Sequence, residues 1–132
     1  MKSVLKRVGL VLVLLVLATG IALAAGSKET TIAVVPKALD NAIFLDAKDA
    51  AEKTGKELGI KILWVGSAKS DAAEQVSVLE GLIQKKVDGI LVSCNDADAL
   101  KDVIDRAMDK GIKVATFDSD SPKSKRLFYA GT

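Results

Sequence analysis

Three features of the sequence predict an α/β domain with a doubly wound, mainly parallel five-stranded sheet flanked by helices. Short apolar runs begin about 25 to 30 residues apart until the last one, which is the spacing of right-handed βαβ units. The segments between the first four runs carry apolar side chains at helical periodicity. The runs themselves lack strict apolar–polar alternation, as expected for strands that are buried on both faces.

The predicted strands cover residues 32–35, 60–65, 89–92, 113–117 and 127–130, and the predicted helices cover residues 42–58, 71–86 and 99–110. Gly59 and Gly111 are expected to end the first and third helices. The apolar stripe predicted for the first helix consists of Ile43, Ala47, Ala50, Ala51, Thr54 and Leu58. The stripe predicted for the second helix consists of Val76, Leu79, Leu82 and Ile83.

Residues 1–24 have the layout of a secretory signal peptide. Basic residues precede the apolar run 8–17, and Ala22-Leu23-Ala24 supplies a small-x-small cleavage pattern. Cleavage after Ala24 would leave residues 25–132 as one lobe. The alternative is an uncleaved membrane anchor, because the apolar stretch nearly reaches the length that spans a bilayer. The leader predicts a periplasmic or extracellular location.

Composition excludes several classes of protein. The chain has no histidine and a single cysteine, Cys94. Histidine-based catalysis, histidine-ligated metals and an internal disulfide are therefore excluded. The leader holds three of the 19 basic residues and none of the 17 acidic ones, so the rest is nearly neutral and no basic patch indicates nucleic acid. No glycine-rich phosphate loop is present. We expect a protein that is not an enzyme and uses no cofactor or metal.

Polar residues follow each predicted strand. Because parallel strands end at one edge of the sheet, residues 37–44, 66–71, 93–98 and 118–121 would line one crevice. Their hydroxyls, carboxylates, amide and ammonium suit a neutral polyhydroxyl ligand, whose hydroxyl groups both donate and accept hydrogen bonds. Asp118 follows an apolar run and lies at no recognisable helix start, which favours a functional role for this carboxylate.

A structural role is the alternative for the other residues at this edge. Helix capping is favoured for Asp71 and Asp98, and it is equally open for Asp40 and Asn41. Phe44 lies about 100° from the Ile43 stripe, so its ring either faces the crevice or packs beneath a loop. Lys37, by position alone, is typical of a solvated surface lysine.

Three segments carry a family resemblance. Residues 36–44 (PKALDNAIF), 92–100 (VSCNDADAL) and 116–122 (TFDSDSP) resemble the amino-terminal lobe of periplasmic sugar-binding proteins. These are the type I, ribose-, rhamnose- or autoinducer-2-like substrate-binding components of ABC transporters. The resemblance implies two α/β lobes that close on a monosaccharide or similar small polyol and deliver it to a permease. By the same resemblance, the ligand contacts in this lobe are Lys37, Asn41, Phe44, Ser93 and Asp118.

The resemblance also implies a second lobe of similar size, which residues 25–132 do not supply. We therefore expect an exposed hydrophobic sheet edge or cleft near the C-terminus, with a tendency to self-associate or to bind a second lobe. Ser119 stands where the ribose-type pattern has an arginine, which argues against ribose itself. The alternative function is an exported interaction module that contacts a permease or receptor and binds no sugar.

Overall fold

A single parallel sheet organises the protein. The computed structural model describes residues 28–131. Its strands are β1 (Thr31–Val35), β2 (Lys61–Trp64), β3 (Gly89–Val92), β4 (Lys113–Phe117) and β5 (Tyr129–Ala130), and its helices are α1 (Leu45–Leu58), α2 (Ala72–Lys85) and α3 (Lys101–Asp109). A short 3-10 helix, Ala42–Phe44, precedes α1. All four strand pairings are parallel, so the predicted doubly wound α/β architecture is confirmed.

The order of the strands across the sheet is β2-β1-β3-β4-β5. The chain moves outward from β1 to β2 and then crosses back to place β3 on the other side of β1. This reversal creates a topological switch point between β1 and β3. In open α/β sheets the chains diverge at such a point and leave a crevice beyond the carboxyl ends of the strands.

The core lies between one face of the sheet and helices α2 and α3. Ala33 pairs with Ile90, and Ile90 pairs with Val114, so these three side chains share that face. They pack in one apolar cluster with Leu79 of α2 and Ile104 of α3, both of which are fully buried. Burial of these apolar side chains is the main stabilising contribution that a sheet with few aromatic residues has available.

Helix α1 packs on the opposite face, above β2. Gly55 lets the helix approach the sheet, because a Cβ atom there would lie 2.9 Å from the carbonyl oxygen of Ile60 and would collide with the side chain of Ile62. The stripe predicted for this helix is only partly buried. Ala47 and Ala51 are half-buried, whereas Ile43 and Leu58 are 75% and 66% exposed. The prediction placed six side chains in the core, and most of them face solvent because α1 covers one margin of the sheet.

An apolar cleft occupies the rest of that face. Its volume is about 500 Å³, and its lining includes Ile32, Leu91, Ala115, Leu127 and Phe128. The side chains of Leu127 and Phe128 are more than half exposed. The structure therefore has the hydrophobic cleft near the C-terminus that the sequence predicted.

Two predicted helix starts have different outcomes. Asp71 caps α2, since its Oδ1 accepts a hydrogen bond of 2.8 Å from the Glu74 amide, as predicted. The prediction for Asp98 is wrong. The carboxylate that accepts hydrogen bonds from the free amides before α3 belongs to Asp96. Its Oδ1 accepts from Asp98 N at 3.0 Å and from Ala99 N at 2.7 Å. Asp98 instead faces solvent and pairs with Lys123.

The leader predicted at residues 1–24 and its cleavage after Ala24 lie outside the residues that the structure describes. Within residues 28–131, no helix is both long enough and apolar enough to cross a membrane.

Candidate functional site

Three of the predicted residues meet at the carboxyl edge of the sheet. Lys37 follows β1, Ser93 follows β3 and Asp118 follows β4. The Ser93 hydroxyl donates a hydrogen bond of 2.6 Å to Oδ2 of Asp118. The Lys37 ammonium lies 3.5 Å from the same oxygen. The cluster therefore spans the switch point between β1 and β3, where the strand-end rule places a ligand.

The backbone at Asp118 adopts a left-handed conformation, with φ of 56°. Aspartate tolerates this conformation better than most residues do. Hydrogen bonds hold it in place: the Asp118 amide donates to the carbonyl of Ala130 at 3.1 Å, and the Tyr129 hydroxyl donates to the carbonyl of Asp118 at 2.9 Å. β5 thus fixes the turn that carries the carboxylate.

The electrostatics of the cluster keep Asp118 ionised. Its pKa is lowered from the ordinary aspartate value, first by the hydrogen bond from Ser93 and then by the charge of Lys37, while partial burial opposes both. The side chain is 49% exposed, so the carboxylate also faces the crevice. Lys37 and Asp118 carry opposite charges, and the cluster as a whole is close to neutral.

A buried amide, which the sequence did not indicate, links two of the strand ends. Gln75 in the first turn of α2 is fully buried. Its Nε2 donates to the carbonyls of Pro36 at 3.2 Å and Ser93 at 2.8 Å, and its Oε1 accepts from the amide of Asn95 at 2.8 Å. Every group of this side chain that forms hydrogen bonds is therefore used across the β1–β3 gap.

Asn95 adds a second link that sequence reasoning also missed. Its Nδ2 donates to the carbonyl of Lys37 at 2.9 Å and to that of Asp71 at 3.4 Å, and its side-chain oxygen accepts from Ser70. An amide two residues after Ser93, within the polar segment that follows β3, was the available signal. Its partners are backbone carbonyls, however, and these leave no trace in the sequence.

The other predicted contacts differ in exposure. Asn41 is exposed and caps the 3-10 helix through Ile43 N at 3.1 Å, so the helix-capping alternative holds for this residue. Phe44 is 6% exposed and packs edge-to-face on Phe117, with the ring centroids 6.1 Å apart. Its ring therefore packs inside rather than facing the crevice. Ser93 is fully buried, so it touches Asp118 rather than the open crevice.

Asp120 and Cys94 lie apart from this cluster. Arg126 binds Asp120 with both Nε and Nη2, and this contact is the main reason that the pKa of Asp120 is lowered to about 2. Asp118 and Asp120 thus bind different partners. Cys94 is buried, and desolvation raises the pKa of its thiol to about 12, which leaves a thiol that is a poor nucleophile.

This arrangement offers hydrogen-bonding groups of the kind that a small polar molecule needs. A half-exposed carboxylate, a neighbouring ammonium and an exposed amide at a switch point can accept and donate hydrogen bonds at once. The charges of Lys37 and Asp118 offset each other. The fold is that of an open α/β domain with these polar groups at its switch point.

Comparison with known proteins places this chain in a family. The model of the family described as periplasmic binding protein domain matches residues 32–132. The chain belongs to this family, whose members are binding proteins.

Individual relatives agree with that assignment. The chain is 34% identical to the ribose import binding protein RbsB of Bacillus subtilis over 98 residues, which are 74% of this chain and 32% of the relative. An ABC transporter solute binding protein from Burkholderia graminis, solved in complex with D-arabinose, is 39% identical with a TM-score of 0.75 over 78% of this chain and 35% of that one. LsrB from Clostridium saccharobutylicum in complex with AI-2 is 37% identical with a TM-score of 0.67, and the match covers 69% of this chain and 28% of that one. The chain spans about a third of the length of the curated relatives that it matches.

Proposed function

We propose that this chain is the amino-terminal lobe of the substrate-binding component of an ABC-type sugar importer. It binds a monosaccharide or similar polyol at the carboxyl ends of its strands. The observation that carries the proposal is the Lys37–Ser93–Asp118 cluster at the switch point between β1 and β3. The relatives are named for ribose or were solved with D-arabinose or AI-2, which supports a small polyhydroxylated ligand.

Each residue of the cluster has a separate role in this proposal. The Asp118 carboxylate accepts hydrogen bonds from neighbouring hydroxyls of the sugar, and Lys37 donates to a sugar oxygen. Ser93 holds the Asp118 carboxylate in its orientation, and exposed Asn41 adds a donor and an acceptor at the rim of the crevice. Phe44, which is buried, supports Phe117 directly before Asp118.

The proposal extends to the whole protein. Residues 1–24 direct export and are removed after Ala24, and residues 25–132 act in the periplasm or outside the cell. There the lobe works with a second lobe and a permease. Sugar contacts from one lobe alone give weak binding, because a ligand held between two lobes shares its hydrogen bonds between both.

The test is calorimetric titration of the purified protein with D-arabinose, D-ribose and D-xylose. Saturable binding of one of these sugars is expected. Asp118→Asn should weaken it about tenfold or more, the loss typical of a hydrogen bond to a charged group. Asp109→Asn is the matched control, because Asp109 is exposed at the far end of α3 and pairs only with Lys125 among the described residues; it should bind like the parent.

Two results would reject the proposal. One is the absence of saturable binding by any of the three sugars. The other is equal sugar binding by the parent and Asp118→Asn, which would show that the sugar does not bind at Asp118. Ligand-independent capture of a membrane permease by a protein that binds no sugar would favour the interaction-module alternative.

A further inference from the structure

Gln75 stands where an apolar residue is expected. It begins the row Gln75, Leu79, Leu82 and Ile83, which is spaced at i, i+4, i+7 and i+8 and faces the core. A fully buried amide at such a position lowers stability unless all its hydrogen bonds are made. This one makes three, and all three partners belong to the strand-end segments of β1 and β3.

The amide sits just beyond the last pairing of the two strands. The Ser93 amide donates to the carbonyl of Val35 at 2.9 Å, which is the last backbone–backbone hydrogen bond between these segments. The carbonyls of the next residue on one side, Pro36, and of Ser93 on the other then both bind Nε2 of Gln75. The Gln75 side chain therefore sets the separation of the two strand-end segments where they diverge.

The residues that Gln75 holds are next to the candidate ligand contacts. Pro36 precedes Lys37, and Ser93 itself orients Asp118. Asn95, whose amide bonds Gln75, also bonds the carbonyl of Lys37. A change in this one buried amide would move the ammonium of Lys37 relative to the carboxylate of Asp118.

We propose that Gln75 is a positioning residue of the sugar site, which touches no ligand and fixes the spacing of Lys37, Ser93 and Asp118. This inference depends on the proposed function. It predicts that Gln75→Leu, which fills the same space but forms no hydrogen bonds, folds and loses affinity for D-arabinose or D-ribose by about tenfold or more.

Gln75→Glu provides the readout that a merely structural role would not change. A protonated glutamic acid can donate to one carbonyl and accept from the Asn95 amide, whereas an ionised one can only accept and would face two carbonyl oxygens. Affinity per folded molecule should therefore be near that of the parent at about pH 5 and should fall towards about pH 8, the range in which buried glutamates titrate. Lys37 after β1, Asp71 at the start of α2 and Asp118 after β4 are also present in the parent, so its pH profile is the baseline.

The experiment is calorimetric titration of the parent, both Gln75 variants and the controls Gln84→Leu and Gln84→Glu across this pH range. Gln84 is an exposed residue of the same helix, and circular dichroism gives the folded fraction of each sample. A parent that binds neither sugar would reject the proposed function. A parent that binds, with folded Gln75 variants that match it at every pH, would overturn the positioning role alone.

Discussion

At the scale of single residues, Asp118 combines an unusual backbone conformation with the charge that the site needs. Its φ of 56° belongs to the left-handed region, in which asparagine and aspartate are enriched and alanine is disfavoured. Asparagine keeps the backbone and the shape and removes the charge. Alanine removes the charge and adds strain.

This difference predicts separate effects on stability. Asp118→Ala should lower the free energy of unfolding by about 1 kcal/mol relative to Asp118→Asn, the cost of a residue forced into the left-handed region. Urea unfolding followed by circular dichroism measures both variants. Equal stability of the two would show that the turn at Asp118 is not strained by alanine.

The pKa of Asp118 predicts the pH range of binding. Because this pKa is lowered by Ser93 and Lys37, the carboxylate stays charged from neutral pH down to below the ordinary aspartate range. Sugar affinity should be constant from about pH 8 to about pH 5 and fall only under about pH 4. The same pKa shift stabilises the fold above the unfolded-state pKa of aspartate, and this contribution is lost as the pH falls through the lower folded-state value. Calorimetric titrations of sugar across this range measure the profile. A decline in affinity that begins near pH 6 would contradict this assignment.

The sequence allowed prediction of Lys37, Ser93 and Asp118 as neighbours, because the strand-end rule depends only on where apolar runs stop. It did not allow prediction of Gln75. Helical periodicity distinguishes residues 75 and 76 by only about 100°, so the apolar Val76 was assigned to the core, whereas the innermost position is polar. The hydrogen bonds that make this possible involve backbone carbonyls, which no residue type reveals.

At the scale of elements, the contact of α1 with the sheet depends on a glycine inside a helix. Helical glycine normally weakens a helix by about 1 kcal/mol relative to alanine. Gly55 stands at a point where a Cβ atom would collide with Ile62 and with the backbone at Ile60, just before β2. Gly81 in α2 offers the comparison, because a Cβ atom there would have no heavy atom within 4 Å.

The pair predicts opposite signs for the same substitution. Gly81→Ala should raise the free energy of unfolding by about 0.5–1 kcal/mol through helix propensity. Gly55→Ala should lower it by about 1–3 kcal/mol, because the helix must move away from the sheet. Urea denaturation of the two variants measures both changes. Stabilisation by Gly55→Ala would show that α1 is not packed as closely as described.

The limits of prediction at this scale are those of helix and strand ends. The strands over residues 89–92 and 113–117 were predicted with their observed bounds, since apolar runs between polar residues define them. The first helix was predicted from residue 42, but its first turn is 3-10 and the α-helix begins at Leu45. The apolar stripe predicted for this helix indicated burial, but most of its residues are exposed to solvent.

At the scale of the molecule, the described chain covers one face of its sheet with two helices and the other with one. The remaining surface is the apolar cleft that includes Leu127 and Phe128. Contiguous apolar surface of this kind drives association.

We predict that the protein self-associates with rising concentration and that Phe128→Ser reduces this tendency, measured by size exclusion with light scattering. Ile43→Ser is the control, because Ile43 is more exposed but lies outside the cleft. A parent that stays monomeric when concentrated would contradict this expectation.

The measurement that tests the account most directly is a proton–nitrogen correlation spectrum of the protein during titration with D-arabinose or D-ribose. At 13.9 kDa the amide signals can be resolved and assigned. The account predicts shifts that saturate with sugar and concentrate at Lys37, Asn41, Ser93, Asn95 and Asp118. Saturating shifts confined to the cleft at Leu127 and Phe128, or no saturating shifts with either sugar, would contradict it.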